Sequence, residues 1–461
     1  MVILFCAHPA SADDYRILAE DLRHRYGITT RLLFTSQNDS AYQRWQQLAV
    51  GVSAEETPLF LDVIAASCRF SPVWRLVSRL LWLIDWLGRS HLASFCHSWQ
   101  QIAWRRIATR KLIDTLNPSV AVVTCDRRPT ISLPFLVEFR KRQIPVLVFG
   151  AAIIASPSEL LANRRMKPDC FPKSGWRQIL ARTLPTGFDQ PKGRHALFID
   201  IQQALAVRLH GVRPNNLWIM GGSGLASHVA VLGEMERELC LSEPGLPSKQ
   251  VSVVGLPSLD WLAELDSRRT TEEATALCQQ YGLEDDRPLA IFAVPQRFSD
   301  APLFSDEDLK AIVGSLVRAG YSTLCSIHPK MPRGSQNFLG DLEHCAVSEL
   351  PLSNVLALAS VFLASYSSTL TWAGLLSIPC AVVDFYEENS PAYRDIEDLA
   401  ILRNAQAVER WARPLRDVAR RKRLGDSLQK GFQRYQAPPG QACRRLADLV
   451  ESFCLDARVA K

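Results

Sequence analysis

Two short runs in the last third of the chain carry residue types suited to holding phosphate. The first is His328-Pro329-Lys330 and the second is Ser365-Tyr366-Ser367-Ser368-Thr369. Imidazole and ammonium groups give hydrogen bonds and positive charge to phosphate oxygens. Pro329 would stiffen the turn that presents them. Hydroxyls at the opening of a helix add donors beside the free backbone N–H groups and the positive end of the helix dipole. Each run also has a plainer reading. His328 can be a loop histidine, and one Ser or Thr can simply cap a helix. A cap needs one hydroxyl, however, and four stand within these five positions.

The elements around the runs give them meaning. The apolar stretch Ser322–Ile327 reads as a strand that ends at His328, and Val361–Ala364 as a strand that ends at Ser365. About thirty-five residues separate the two runs. In a parallel sheet the carboxyl ends of the strands line the ligand crevice, so both runs fall on one edge. Leu289–Val294 is a further strand. Asp306–Ala319 is a helix opened by Ser305, with acidic residues in its first turn. Val355–Ala359 and Leu370–Leu376 read as short helices, and Cys380–Asp384 as a strand.

The first half has the same grammar. Val2–Ala7, Arg31–Phe34, Val120–Cys125, Pro145–Phe149, Asn216–Met220 and Val251–Val254 read as strands. Helices are expected up to Tyr26, over Ile131–Arg142 and over Leu225–Leu239. Alternating strands and helices indicate α/β folding on parallel sheets. At 461 residues the chain fits two domains of ordinary size. The expected division is 1–265, 285–430 and a helical tail over 431–461.

Composition narrows the function classes. The net charge of +6 is mild for this length, and no nucleic-acid partner is expected. The 12 cysteines are spread singly, without zinc spacing, as expected of free thiols in a reducing compartment. The start of the chain reads as a strand rather than a signal peptide, and no run is long and apolar enough to cross a membrane. No P-loop, dinucleotide fingerprint or metalloprotease helix motif is present, and no cofactor or metal is expected.

The segment 69–111 departs from this pattern. It holds five tryptophans and eight Lys or Arg residues, against one acid, Asp85. A basic, Trp-rich amphipathic helix suits an anionic membrane surface. The alternative is a helical insertion packed on the first domain.

The order strand, His-Pro-Lys, strand, Ser-x-Ser-Ser-Thr, helix, Ile378-Pro379, strand, Asp384 resembles the C-terminal half of GT-B glycosyltransferases. The nearest groups are the CDP-glycerol glycerophosphotransferases, the bacterial sialyltransferases and the Kdo transferases of surface polysaccharides. UDP-GlcNAc 2-epimerases share the framework. Three further stretches fit: Val251–Asp260 (VSVVGLPSLD) resembles the strand and turn near the GT-B domain junction, and Asn117–Asp126 (NPSVAVVTCD) and Ile144–Gly150 (IPVLVFG) resemble consecutive strands of the first domain. The chain departs from these families at Leu370-Thr371-Trp372, where a carboxylate is usual; Glu387 or Glu388 could replace it. It also departs at Phe149, where a histidine precedes the glycine.

The resemblance implies two Rossmann-like domains facing across a cleft, with C-terminal helices crossing back to the first. It implies a metal-independent glycosyltransferase that moves a sugar from a CMP-, CDP- or UDP-linked donor to a surface-polysaccharide or lipid-linked acceptor, such as lipopolysaccharide or capsule. Donor binding falls to His328, Lys330, Ser365, Ser367, Ser368 and Thr369, with Gln296 as a further wall. The catalytic base would come from a strand end of the first domain, Asp126 or His8. An ion pair of Asp126 with Arg127 or Arg128 is the plainer reading of that residue. The expected location is cytoplasmic, peripheral on the inner face of the membrane. A sugar-nucleotide epimerase and a non-catalytic binding protein on the same frame are the alternatives.

Overall fold

A computed structural model describes residues 1–8, 11–48, 58–67, 90–150, 179, 187–189, 195–197, 199–212, 217, 219–265, 271–284, 286–295, 304–328, 331, 334, 336–387 and 393–459. The chain divides into two compact units, one of 1–258 with 441–461 and the other of 259–440.

The first unit is built on β1 (Val2–Phe5), β2 (Thr30–Phe34), β3 (Leu59–Phe60), β4 (Val120–Val123) and β5 (Val146–Phe149). A small antiparallel hairpin, β6 (Gly187–Asp189) and β7 (His195–Leu197), lies apart from the sheet. Then follow β8 (His228–Val231) and β9 (Val251–Val253). The sheet order is β3-β2-β1-β4-β5-β8-β9, with every pair parallel. β1, β4, β5 and β8 are buried along their whole length. Strands covered by helices on both faces need side chains that are apolar both ways, so they read as continuous apolar runs.

The second unit holds β10 (Leu289–Val294), β11 (Ser322–Ile327), β12 (Cys345–Ser348), β13 (Val361–Ala364), β14 (Cys380–Val383) and β15 (Ala400–Leu402). Their order is β12-β11-β10-β13-β14-β15, again all parallel. In both sheets the fourth strand in chain order lies beside the first. This is the doubly wound arrangement, which leaves a crevice at that reversal. Between β10 and β11 runs the helix Asp306–Arg318. The Ser305 hydroxyl accepts from the Asp308 amide at 3.1 Å, and the Asp308 carboxylate accepts from the Ser305 amide at 2.9 Å. That reciprocal cap satisfies two backbone donors. Leu309, Ile312, Val313 and Leu316 then bury one stripe of the helix in the sheet.

Several expectations need correction. The first unit ends at Ser258, so 259–265 belong to the second. There Asp260 accepts from the Gly440 amide at 2.8 Å and Trp261 meets Trp372 edge-on. The expectation of C-terminal helices crossing back to the first domain holds: residues up to Gly440 stay with the second unit, and the last helix, Ala442–Val459, packs on the helix Ala12–Tyr26 of the first. Of the expected strand Asn216–Met220, the described residues Leu217, Ile219 and Met220 lie in turns and bends and are buried, and the strand comes later at His228–Val231. The helix placed at Leu225–Leu239 starts only at Glu234.

The helix Val418–Phe432 packs on the helix Thr369–Leu375 and the turn after it at very close range. An added Cβ at Gly425 would lie 2.0 Å from the Ser377 carbonyl oxygen, and one at Gly374 would lie 2.0 Å from the Phe432 ring. The Gly425 neighbour is backbone and cannot swing away. Gly425→Ala is expected to destabilise the chain by about 1–3 kcal/mol, as over-packing does. A lowered urea midpoint would show it, and an unchanged midpoint would mean the helix does not seat this tightly.

Candidate functional site

The second sheet assembles the two runs. β10, β11, β13 and β14 point the same way, so their carboxyl ends share one edge, with the order reversal between β10 and β13. His328 follows β11 and is half-buried, its carbonyl accepting from the Met331 amide at 2.9 Å. Ser365–Thr369 follow β13. The Ser367 hydroxyl lies 2.9 Å from the Thr369 hydroxyl and accepts from the Thr369 amide at 3.3 Å. Ser368 is exposed and makes no capping bond, although it opens the helix Thr369–Leu375. Capping therefore leaves the Ser368 hydroxyl unused.

The hydroxyl loop is braced from two directions. The Tyr366 hydroxyl donates to the carboxylate of Asp384 at 3.2 Å. Asp384 is fully buried at the end of β14. The Tyr393 hydroxyl donates to the Ser367 carbonyl at 3.3 Å, and the Tyr393 ring packs against Phe432 and Tyr435. Holding the carbonyl side of the loop leaves its hydroxyl side for a ligand. Asp384 was legible only as a strand end, and its pairing with Tyr366 was not. Tyr393 carries no motif; it sits 26 residues from Ser367 with a positive φ of 63°.

The first sheet places His8 and Asp126 on its own carboxyl edge, after β1 and β4. These strands are neighbours, and the Ala7 amide donates to the Thr124 hydroxyl at 3.2 Å. His8 is half-buried. Asp126 is fully buried, and its two oxygens accept from the amides of Gly221 and Ser223, each at 3.1 Å. Arg128 donates instead to the Ala7 carbonyl at 2.9 Å. The carboxylate of Asp126 thus anchors the loop after the apolar turn at 217–220. Nearby, Asp14 is also fully buried. One oxygen accepts from the Ser258 amide at 2.7 Å, and the other has no hydrogen-bond partner. Burial raises its pKa to about 7; the hydrogen bonds from Ser258 oppose this and the charge of Asp13 adds to it.

Gln296, Pro329, Lys330, Arg297 and Glu388 lie outside the described residues, as does 68–89 of the Trp-rich segment. Its second half is the helix Ser90–Leu116, and there the cations have partners within the protein. Arg106 and Arg110 bind the buried Glu138 at 2.6 and 2.7 Å, and Arg105 donates to the Thr130 carbonyl at 2.7 Å. Lys111 donates to the Ser67 hydroxyl at 2.8 Å, and Trp99 stacks on His210. Over 90–111 the helix packs on the first domain, the alternative reading of this segment, and these charges have partners within the protein. Among the described residues no cluster of His, Cys, Asp or Glu is arranged to hold a metal, and no helix is long and apolar enough to cross a membrane.

No protein-family model matches the chain, and no curated protein matches it by sequence. Solved structures do. One is the UDP-GlcNAc 2-epimerase from Neisseria meningitidis bound to UDP-GlcNAc, with 11% identity, 98% of this chain and 99% of that one covered, and a TM-score of 0.55. Another is the wall teichoic acid polymerase TagF soaked with CDPG, with 12% identity, 99% and 89% covered, and a TM-score of 0.52. A third is the S. aureus MnaA–UDP structure, with 14% identity, 98% and 96% covered, and a TM-score of 0.52. At these identities the likeness is one of fold. The chain has the GT-B architecture, with two Rossmann-like α/β domains.

Two outcomes follow from the buried carboxyls. Asp126→Asn sets a side-chain amide against a backbone amide and is expected to destabilise the first domain by about 1–3 kcal/mol in chemical unfolding. Unchanged stability with lost turnover would mark Asp126 as a base instead. For Asp14, the folded pKa of about 7 lies above the ordinary aspartate value of 3.8, so the folded state holds the proton more tightly. Stability should then fall as pH rises between about 4 and 7. Asp14→Asn keeps an acceptor for Ser258 and should flatten that fall and raise stability at pH 8. A melt series across this range that is identical in both proteins would refute it.

Proposed function

We propose that the chain is a sugar-nucleotide enzyme, and specifically a glycosyltransferase. It moves a sugar from a CMP-, CDP- or UDP-activated donor to a surface-polysaccharide or lipid-linked acceptor at the cytoplasmic face of a membrane. The observation that carries the reading is the hydroxyl loop Ser365–Thr369 on the same sheet edge as His328, beside the order reversal of the second sheet. Solved structures of the same architecture were obtained with UDP-GlcNAc, CDPG and UDP, which supports a nucleotide-linked ligand.

In this reading the chain's own residues do two jobs. The hydroxyls of Ser365, Ser367, Ser368 and Thr369 and the imidazole of His328, with Lys330 and Gln296, hold the donor phosphates and stabilise charge on the departing phosphate oxygen. A general base takes the proton of the acceptor hydroxyl. His8 is the stronger candidate, because both oxygens of Asp126 already accept backbone amides. Transfer is favoured over epimerisation by the lack of a carboxylate at Leu370-Thr371-Trp372, where Thr371 is buried and its hydroxyl has no hydrogen-bond partner.

A thermal-shift series with CMP, CDP and UDP tests the reading. A hundredfold excess over the dissociation constant should stabilise the folded state by about 2.7 kcal/mol. His328→Ala and Ser367→Ala should each weaken that binding by roughly 10- to 100-fold, the value of a hydrogen bond to a charged group. If no nucleotide shifts the melt of the folded protein, the reading fails. Conversion of UDP-GlcNAc with no acceptor present would select the epimerase instead.

A further inference from the structure

The opposite edge of the second sheet carries a cavity that donor binding does not use. It has a volume of about 670 Å³ and lies where the strands begin, against Leu289, Ser360 and Pro379. β10 alone spans roughly 20 Å at the rise of a strand, so this edge is far from the strand ends at His328 and Ser365. One wall is the helix Val418–Phe432, which presents Val418, Arg421, Lys422 and Asp426 on one face. The close seating of Gly425 on Ser377 sets the position of that wall.

The charges of the cavity are unevenly engaged. Arg287 is paired with Glu284 at 2.7 Å. The Arg421 guanidinium lies beside the Tyr321 hydroxyl, which donates to the Ala412 carbonyl at 3.1 Å. Arg421 carries five N–H donors that can serve a ligand. Lys422 is exposed and makes no ion pair among the described residues. The acids nearby are Asp286 and Asp426, both exposed, and Asp417, whose carboxylate accepts from the Arg420 amide. Val418 is 68% exposed at the rim, and the floor carries Leu289, Ala357 and Ile378. Paired cations above an apolar floor suit an anionic head on an apolar body.

We infer that this cavity is a second ligand site, taking a phosphorylated small molecule with its phosphate at Arg421 and Lys422 and its body on the strand starts. The site is independent of the donor reading. The test is calorimetric titration of the full chain with pyrophosphate, in a His328→Ala/Ser367→Ala background that removes the donor loop's contribution. Binding should persist there and weaken at least tenfold on adding Lys422→Glu, an exposed position where folding is not at stake. It should also weaken with rising salt. Arg421→Gln should act in the same direction. Phosphatidylglycerol vesicles that compete with pyrophosphate, where phosphatidylcholine vesicles do not, would identify the phosphate as a lipid headgroup; no competition would identify a free phosphorylated compound. The inference is overturned if pyrophosphate does not bind the background variant, or binds it equally well with and without Lys422→Glu.

Discussion

Parallel strands cannot be joined by tight turns, and every other feature of this chain follows from that constraint. Each strand must return through a crossover, usually a helix, so all strands of a sheet end on one edge and begin on the other. In both units the fourth strand lies beside the first, and the loops after those two strands diverge. The central strands are buried on both faces and have no room for chemistry. Polar side chains therefore gather in the loops after the carboxyl ends. That is where His8 and Asp126 stand in the first unit, and His328, the hydroxyl loop and Asp384 in the second.

Burial then decides what the carboxyls can do. A charge taken out of water needs partners. Glu138 shows the rule: burial alone would raise its pKa, but hydrogen bonds from Arg110 and Arg106 outweigh this and lower it. Asp126 meets the same demand with two backbone amides, and in doing so it holds a loop 95 and 97 residues away. Asp14 has only the Ser258 contact on one oxygen, and its pKa rises. The carboxyls that look most available along the chain are thus committed to structure. The proposed donor site of the second unit rests instead on hydroxyls and imidazole, which tolerate partial burial without a matched charge.

The hydroxyl loop is positioned from outside itself. Its carbonyl side is tied by Tyr393, and its tyrosine by Asp384. These braces depend on the aromatic cluster of Tyr393, Phe432 and Tyr435, and that cluster depends on Gly374 leaving space for Phe432. The same helix that supplies Phe432 lines the opposite edge of the sheet with Arg421 and Lys422. One helix thus shapes both edges of the second unit.

Strand β10 was legible to the residue, because a strand buried on both faces reads as a continuous apolar run bounded by polar turns; β11 was placed to the residue as well, although three of its six residues carry hydroxyls. So was the cap at Ser305, which needs only neighbours three residues apart. The two runs, their order and the GT-B resemblance were also legible, since all of them are local in the chain. Asn216–Met220 misled because an apolar run looks the same whether it enters the core as a strand or as turns. The amides that Asp126 draws in, and a glycine at φ 85°, made it turns. β12 and β15, four and three residues long, left too little pattern to read. The sequence by itself therefore determined the α/β class, the tandem Rossmann-like units and the two runs on which the proposed donor site rests. Tertiary structure alone decided which carboxyls are anchors, which arginines have partners within the protein and what braces the hydroxyl loop. Those outcomes depend on desolvation and on hydrogen bonds between residues far apart in the chain, and neither leaves a local pattern.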